Sequence, residues 1–282
     1  MVEAIIVASL DTRTGDTLLV SVPRALGAAQ FPEGSDLRLA FPKGWYDGSN
    51  PGTTEFQLGA MYSSLPKYID LAVHVSANPG ADAMKLSVGY MLGLSIDYYI
   101  ALDVDALADL VDGLGGVTVN VNKDIPTASG VIPAGADTRF PDGDQLVAYV
   151  SSLEADDDAH RMARTRCLVY DLLQQTSGSQ AASQFADLES LRPDSFRSDI
   201  PASTVGDLAA LAVKAQDAQI IGMQFVSGQQ GYSNARPNFE LMGQLVEQGL
   251  ASFDQPTTAS PQEFWQPQAL DQFCAFDAAA GW

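Results

Sequence analysis

The sequence is short of positive charge. Its 282 residues include 15 lysines and arginines against 35 aspartates and glutamates, which gives a formal net charge of −20. A nucleic-acid-binding protein needs a basic surface to replace the counterions of the phosphate backbone, so this charge argues against that class. Any anion that the protein binds must be held by a local cluster. Positive side chains that lie close together along the chain are therefore the first candidates for a site.

Histidine and cysteine are scarce as well. With only His74 and His160, the sequence argues against a histidine-based zinc site. The two cysteines, Cys167 and Cys274, lie far apart and match no metal-binding spacing. A single disulfide and two buried free thiols are both compatible with this pattern, and the sequence leaves both alternatives open.

Long hydrophobic runs are missing too. No apolar run approaches the roughly 20 residues that a transmembrane helix requires, and Met1 leads directly into strand-like sequence without a signal peptide. Because the chain begins inside a strand, we expect the natural protein to start further upstream. The 46% of hydrophobic residues still suffices for one large core or two smaller ones.

The clearest pattern in the chain is a strand–helix–strand unit. β-Branched and aromatic residues at 98–102 predict a strand, and apolar residues at helical spacing then predict a helix capped by Asp103 or Asp105. Alternating valines at 117–121 predict the second strand. A helix between two strands implies neighbouring, parallel strands in one sheet. We therefore expect an α/β fold, with a mixed central sheet flanked by helices on both faces.

Other elements follow from the same patterns. Two apolar strands at 4–10 and 17–22 form a predicted hairpin, and Pro23 ends the second strand, which leaves Arg24 in a loop just past the strand end. Further predicted elements are helices at 142–153, 155–175, 205–215 and 239–250 and a strand at 220–226, whereas 31–54, 122–141 and 177–203 are predicted to be irregular. We expect one domain over residues 1–252 and a tail over 253–282 that packs poorly.

Apolar helical segments occupy much of residues 55–94. Several of their faces are apolar almost all round. Two interpretations remain open: the segments are buried core helices, or they line a pocket for a long hydrophobic ligand.

An acidic run precedes the helix at 155–175 and consists of Glu154, Asp156, Asp157 and Asp158. Carboxylates at this position interact favourably with the positive, N-terminal end of the helix dipole, so the run is predicted to cap the helix. A metal site is the alternative, but carboxylates adjacent in sequence point in different directions.

Three arginines follow the acidic run within two helical turns. At 100° per residue, Arg161 falls on the side of Leu168 that should face the core, with Arg164 beside it. A buried guanidinium needs an anionic partner, because an unpaired buried charge is very costly. Either nearby carboxylates pair with these arginines, or Arg161 and Arg164 hold a phosphate or pyrophosphate near the helix N-terminus.

Five segments together resemble one known family, in the same order along the chain. They are LLVSVPR at 18–24, LGLSIDYYIALDVDALADLVDGLGGVTVNV at 92–121, IPAGADTRFPDGDQLVAYV at 132–150, DAHRMARTR at 158–166 and RSDIPASTVGDLAALA at 197–212. The chain resembles the LytR-CpsA-Psr family over nearly its whole length. The stretch LDVDALADLVDGLGGVTV is quite specific for that family.

This resemblance implies a cell-envelope phosphotransferase. Such proteins take a glycopolymer from a polyprenyl-pyrophosphate carrier and join it by a phosphodiester linkage to peptidoglycan, with Mg²⁺ and several arginines at the pyrophosphate and a hydrophobic tunnel for the lipid. The expected place of action is the extracellular face of the cell membrane, with the protein close to the membrane surface and anchored by an N-terminal segment that this chain lacks. The apolar segments at 55–94 would then be candidate walls of the tunnel.

The resemblance also implies individual site residues. Arg24 matches the family's arginine after the Val-Pro pair, and Arg161 and Arg164 match the two arginines of its DxxRxxRQ helix. These three are the expected catalytic residues. Glu3 stands where a metal-binding aspartate is expected before the first strand of the hairpin, so it is the expected ligand for Mg²⁺. Magnesium prefers carboxylate and phosphate oxygens, and arginines neutralise charge on a transferred phosphoryl group.

Four positions depart from the family pattern: Ala25 replaces an aspartate, Ser151 and Leu153 replace two arginines, and Thr165 replaces a glutamine. The first hypothesis remains a glycopolymer transferase with a partly degenerate site. The second is a binding protein of the same fold that retains a lipid or polyprenyl-phosphate pocket without efficient catalysis. The third is an interaction module whose acidic surface contacts cationic wall components.

Overall fold

The computed structural model describes residues 2–46, 53–69, 77–153, 157–253 and 263–276. The strands are β1 (Ile6–Leu10), β2 (Thr17–Ser21), β3 (Ile100–Leu102), β4 (Val117–Val121), β5 (Ile125–Thr127), β6 (Gly130–Ile132), β7 (Gly135–Phe140), β8 (Phe196–Ser198), β9 (Ile220–Gln224) and β10 (Gln268–Ala269). The helices are α1 (Asp36–Ala40), α2 (Leu58–Ser64), α3 (Pro79–Leu92), α4 (Val104–Gly113), α5 (Gly143–Ser151), α6 (Asp158–Gln175), α7 (Gly178–Leu191), α8 (Val205–Gln216), α9 (Phe239–Leu250) and α10 (Leu270–Phe273).

The central sheet has the strand order β1-β2-β9-β10. β1 and β2 form the predicted antiparallel hairpin, β9 runs parallel to β2, and β10 is antiparallel to β9. Every residue of β2 and of β9 is buried. This burial explains the consecutive apolar residues Leu18–Val20 of β2 and Ile220–Ile221 of β9, as expected for strands covered on both faces.

Helices cover both faces of this sheet, as the sequence predicts. On one face, Leu18 and Val20 of β2 pack in the main core with residues of α3 and α9. On the other face, Leu19 packs with Ala163 of α6 and with the C-terminal Phe273. The prediction of a mixed sheet between helical layers is confirmed.

The predicted pairing of the strand–helix–strand unit is wrong. β3 pairs antiparallel with β8, with Ile100 opposite Ser198, whereas β4 pairs antiparallel with β7, with Val117 opposite Phe140. The two strands therefore belong to different sheets. The physical reason is that α4 packs against α5 and α7, and β4 buries its valines in a second core of its own.

Two segments predicted to be irregular are ordered. Residues 122–141 contain β5, β6 and β7, and residues 177–203 contain α7 and β8. α7 begins with a capping box in which Ser177 and Gln180 satisfy each other's backbone groups. Only Leu188 of α7 is buried, so the helix lacks the apolar periodicity that would reveal it. α1 likewise lies inside the loop predicted at 31–54.

The expectation that the chain packs poorly from residue 253 onward is corrected for residues 263–276. This segment adds β10 to the central sheet, and Phe264, Leu270 and Phe273 are buried on the α6 side. A disulfide joins Cys167 of α6 to Cys274. Of the two alternatives that the sequence left open, a disulfide and two free thiols, the structure has the disulfide, which fixes the segment to α6.

The described part of the apolar region at 55–94 belongs to the main core. Its buried members include Phe56, Leu58, Met61, Leu65, Met84, Val88, Met91 and Leu92. The core interpretation accounts for these side chains. Residues 70–76, with His74, lie outside the described residues. Within the described part of the chain, none of the helices combines the length and the apolar character needed to cross a membrane.

Candidate active site

The start of α6 is organised by its acidic flank. Asp157 is the N-cap, and its carboxylate accepts a hydrogen bond from the backbone N–H of His160 at 3.0 Å and contacts the His160 ring Nδ1 at 2.6 Å. Burial raises the pKa of the Asp157 carboxyl, but the hydrogen bonds from His160 outweigh it and hold the pKa below its usual value. The predicted capping is confirmed for Asp157, whereas Glu154 and Asp156 lie outside the described residues.

Three of the four predicted site residues meet around Asp158. The Nε and Nη2 atoms of Arg161 donate to Asp158 Oδ1 at 3.0 and 2.7 Å, and Arg24 Nε lies 3.6 Å from the same oxygen. Arg24 also forms an ion pair with Glu3. These four residues, Glu3, Arg24, Asp158 and Arg161, are called the arginine cluster below.

Backbone contacts with α2 fix the position of Arg24. The carbonyl of Arg24 accepts a hydrogen bond from Gly59 N–H at 2.8 Å, and Val2 N–H donates to the carbonyl of Gly59 at 2.7 Å. A Cβ atom at Gly59 would lie 2.9 Å from Arg24 Cβ and 2.8 Å from the carbonyl oxygen of Val2. Glycine is therefore required at the point where α2 lies against the backbone of Val2 and of Arg24.

Arg164 lies on the same helix but makes different described contacts. It donates to the backbone carbonyl of Ser152, and its guanidinium lies 5.7 Å from the centre of the Tyr149 ring. Only 2% of Arg164 is exposed, the same fraction as Arg161. The structure thus places Arg164 next to the arginine cluster, against α5, and confirms that both arginines face the interior.

The four positions that depart from the family pattern offer no positive group. Ser151 and Leu153 are exposed, and Ala25 follows Arg24 without a carboxylate. The hydroxyl of Thr165 donates to the backbone carbonyl of Arg161, four residues earlier on the same helix, at 3.0 Å. Among the predicted site residues, Arg24, Arg161 and Arg164 carry the positive charge.

The arginine cluster balances its own charge. Two guanidinium groups, of Arg24 and Arg161, face two carboxylates, of Glu3 and Asp158. Arg161 is 2% exposed, whereas Asp158 and Glu3 are 36% and 58% exposed as side chains. The guanidinium groups are less exposed than the carboxylates, with Arg24 at 21%, so an incoming anion would compete with the two carboxylates for guanidinium donors.

The cluster is compatible with magnesium held jointly with a phosphate. Among the described residues, no group of three or more histidine, cysteine, aspartate or glutamate side chains is placed to hold a metal ion. Mg²⁺ commonly takes one or two carboxylates from the protein and the rest of its ligands from phosphate and water. Glu3 and Asp158, on either side of Arg24, supply that number.

Asp158 belongs to the cluster but was not among the predicted site residues, since its sequence position indicated the acidic cap of α6 and it was given no role in the DxxRxxRQ match. Its contact with Arg24 joins the loop after β2 to the first turn of α6. The spacing of Asp158 and Arg161, three residues apart on a helix, is a recognisable ion-pair pattern. The contact with Arg24 could be found only from the fold, because 134 residues separate the two in the sequence.

The comparisons with known proteins agree with this fold and with the family resemblance. The LytR_cpsA_psr family model matches residues 2–251. The polyisoprenyl-teichoic acid–peptidoglycan teichoic acid transferase TagT of Bacillus subtilis (strain 168) is 30% identical over 110 residues, which are 36% of this chain and 34% of TagT. The transferase TagU of Bacillus mycoides (strain KBAB4) is 28% identical over 117 residues, 41% of this chain and 38% of TagU. These matches span little more than a third of either relative.

Solved structures show the same fold over most of the chain. The crystal structure of B. subtilis TagV has a TM-score of 0.60 at 17% identity and covers 87% of this chain and 88% of TagV. A structure of TagT bound to LIIa-WTA has a TM-score of 0.58 at 15% identity and covers 90% of this chain and 86% of that protein. Because the family model matches all but the first residue and the last 31, and the α/β fold agrees, the chain belongs to the LytR_cpsA_psr family.

Proposed function

We propose that the protein transfers a glycopolymer from a polyprenyl-pyrophosphate carrier to peptidoglycan. The observation that carries this proposal is the convergence of Arg24 and Arg161 on Asp158, next to Glu3. Clustered guanidinium groups beside carboxylates suit a pyrophosphate with a divalent cation. The relatives TagT and TagU, whose names describe transfer of teichoic acid to peptidoglycan, support the choice of reaction.

The reaction replaces a phosphoanhydride bond of the carrier by a phosphate ester bond to the acceptor. The oxygen of an acceptor hydroxyl forms a bond to the phosphorus that carries the glycopolymer, and the bond from that phosphorus to the carrier's phosphate breaks. Polyprenyl phosphate departs with the proton of the hydroxyl. In this scheme Arg24 and Arg161 donate hydrogen bonds to the pyrophosphate oxygens and neutralise the charge that grows on the leaving phosphate.

Asp158 and Glu3 have two roles in the proposal. Both carboxylates hold the guanidinium groups apart and oriented while no phosphate is present. When pyrophosphate binds with Mg²⁺, the same carboxylates are the candidate ligands of the ion, which would neutralise negative charge on the phosphate oxygens. Arg164, buried beside Arg161, contributes a third positive charge close to the cluster.

The disulfide supports an extracytoplasmic location. Disulfides such as Cys167–Cys274 persist in oxidising compartments and are rare in the reducing cytosol. A polyprenyl carrier resides in a membrane, and its glycopolymer meets peptidoglycan on the outer side. We therefore propose that the protein acts at the extracellular face of the cell membrane, in contact with the membrane surface.

A second candidate function is binding of a polyprenyl phosphate without turnover. It is favoured by the absence of positive side chains at Ser151 and Leu153 and of a carboxylate at Ala25. Each missing charged contact to phosphate removes about 1.5–3 kcal/mol of interaction. The two functions share the arginine cluster and differ in whether bound substrate reacts.

The test is a calorimetric titration of the full chain with a short-chain polyprenyl pyrophosphate, with and without Mg²⁺. The transferase proposal expects binding that Mg²⁺ strengthens, and a loss of at least tenfold in Arg161→Met, which removes about 1.4 kcal/mol or more. Arg13→Met is the control, because the Arg13 side chain is 85% exposed and, among the described residues, forms an ion pair only with Asp11 in the β1–β2 turn. An affinity that does not change with Mg²⁺, together with no polymer transfer in a coupled assay, would favour the second function.

A further inference from the structure

Arg166 is a buried positive charge that the proposed reaction does not use. Its side chain is wholly inaccessible to solvent, and its Nη1 donates to Gln224 Oε1 at 3.0 Å. The Nε and Nη2 atoms have no hydrogen-bond partner among the described residues, and no described carboxylate pairs with the guanidinium. The guanidinium instead lies 4.9 Å from the centre of the Phe273 ring.

This arrangement is unfavourable for stability. A charge that is removed from water without a counter-ion is costly, and burial lowers the pKa of Arg166 to about 9. The fold nevertheless makes room for the side chain: a Cβ atom at Gly222 of β9 would lie 2.7 Å from Arg166 Nε. An apolar residue of similar length would fill the same space without that penalty. The arginine therefore calls for an explanation other than stability.

A continuous hydrogen-bond chain leads from Arg166 to the first turn of α6, beside the arginine cluster. Gln224, which accepts from Arg166, donates through Nε2 to the carbonyl of Ala159 at 2.9 Å. Ala159 lies in the first turn of α6, directly after Asp158 and two residues before Arg161. Both ends of the chain are thus on α6, and Gln224 of β9 lies between them. The first turn of the helix is held against the central sheet by this bridge.

Gln224 needs Arg166 for this role. An amide side chain can rotate to exchange its oxygen and nitrogen, and either orientation is available unless a neighbour selects one. A guanidinium can only donate, so it fixes Oε1 toward Arg166 and leaves Nε2 pointing at the carbonyl of Ala159. An apolar residue at position 166 would remove that selection.

The C-terminal segment keeps water away from this contact. Phe273 covers the guanidinium, and the neighbouring Cys274 is bonded to Cys167, the residue that follows Arg166. Water at Arg166 would offer alternative acceptors and weaken the selection of the Gln224 orientation. The disulfide therefore holds Phe273 over the Arg166–Gln224 contact and also fixes the C-terminal segment itself.

We infer that Arg166 is a positioning residue for the arginine cluster: through Gln224 it fixes the first turn of α6, and with it the Asp158 carboxylate on which Arg24 and Arg161 converge. This inference rests on the proposed function for its binding consequence. Its geometric consequence, an ordered first turn of α6, is independent of that function.

The test compares Arg166→Met and Gln224→Met with the surface control Arg13→Met in the full chain. Inorganic pyrophosphate with Mg²⁺ is the probe, and affinity is measured by calorimetry. We expect both bridge variants to bind about tenfold more weakly than the unmodified protein, a loss of about 1.4 kcal/mol, and the control to stay within about twofold. Arg166→Lys retains a donor-only side chain and should recover part of the loss.

A second readout follows the helix directly. Amide hydrogen exchange of residues 158–162 should accelerate in Arg166→Met and Gln224→Met but not in Arg13→Met. If both bridge variants match the control in affinity and in exchange, Arg166 has no positioning role. If Arg166→Met does not fold, Gln224→Met, which leaves the arginine in place, decides the question. If the unmodified protein does not bind pyrophosphate, the proposed function fails, and the exchange data still test the bridge.

Discussion

Replacing Asp158 by asparagine should separate the structural and the electrostatic roles of the arginine cluster. In the structure, one carboxylate oxygen accepts two hydrogen bonds from Arg161, at 3.0 and 2.7 Å, and lies 3.6 Å from Arg24. Asparagine keeps the shape and one acceptor oxygen but removes the negative charge. Arg161, which is 2% exposed, then loses its counter-ion.

The loss of stability can be bounded from the burial of the pair. Removing one partner of a fully buried ion pair costs about 3–5 kcal/mol. Asp158 is 36% exposed, so solvent screens part of the interaction. We expect a lower free energy of unfolding by about 1–2 kcal/mol, which corresponds to a melting temperature lower by roughly 2–8 °C for a domain of this size.

The same substitution should change anion binding in the opposite direction. Without Mg²⁺, pyrophosphate competes with the Asp158 carboxylate for the donors of Arg24 and Arg161. Removing a negative charge that lies about 4 Å from a bound anion should strengthen Mg²⁺-free binding by about tenfold, after screening. With Mg²⁺, the variant should gain less than the unmodified protein does, because one candidate ligand of the ion is lost.

Thermal denaturation and calorimetry at two Mg²⁺ concentrations measure both effects on the same sample. Asp112→Asn is a suitable control, since Asp112 lies on α4 and its carboxylate accepts from Gly143 N–H at 2.9 Å, away from the cluster. An Asp158→Asn variant with unchanged stability would mean that Arg161 does not depend on this carboxylate. Unchanged Mg²⁺-free affinity would mean that pyrophosphate does not bind at the guanidinium groups.

Three further predictions follow from other parts of the structure. Replacing Cys167 and Cys274 by serine opens a loop of 107 residues and should lower the free energy of unfolding by about 4–5 kcal/mol, measured by urea denaturation against the oxidised protein. Burial raises the pKa of the Asp171 carboxyl to about 7, so its contribution to stability is complete below the unfolded pKa near 4 and is lost as the pH rises through 7. Asp171→Asn should therefore raise the melting temperature at pH 8 and leave it nearly unchanged at pH 4; a variant that follows the unmodified protein at both pH values would contradict this assignment. Gly59→Ala should weaken pyrophosphate binding several-fold because its Cβ would displace the arginine cluster, whereas the control Gly243→Ala, with open space at its Cβ, should bind normally.

Features set by neighbouring residues were predictable from the sequence. The β1–β2 hairpin and α9 follow from apolar runs and periodicity, and the inward direction of Arg161 and Arg164 follows from their angle on α6. Each of these features depends on residues close together in the chain. The resemblance to the family supplied Arg24 and Glu3, which the fold then brought to the same place as Arg161.

Features set by distant partners were not predictable in the same way. The partner of Ile100 in β3 is Ser198, and β10 completes the central sheet from residue 268 onward. No local pattern specifies such pairings, because many strands of similar composition compete for them. α7 was missed for a different reason, since a helix with only Leu188 buried carries almost no hydrophobic periodicity.

The proposed function requires a protein of net charge −20 to select an anion. At physiological ionic strength, interactions between exposed charges fade beyond roughly 8 Å, so the acidic surface repels a negatively charged polymer mainly where it comes into contact. Around the start of α6, Arg161, Arg164 and Arg166 are all buried, so positive charge is concentrated in the interior at this end of the helix. Under the proposed function, an anionic substrate would be repelled by most of the surface and accepted beside these arginines. Specificity of this kind would arise as much from the repulsive surface as from the attractive site.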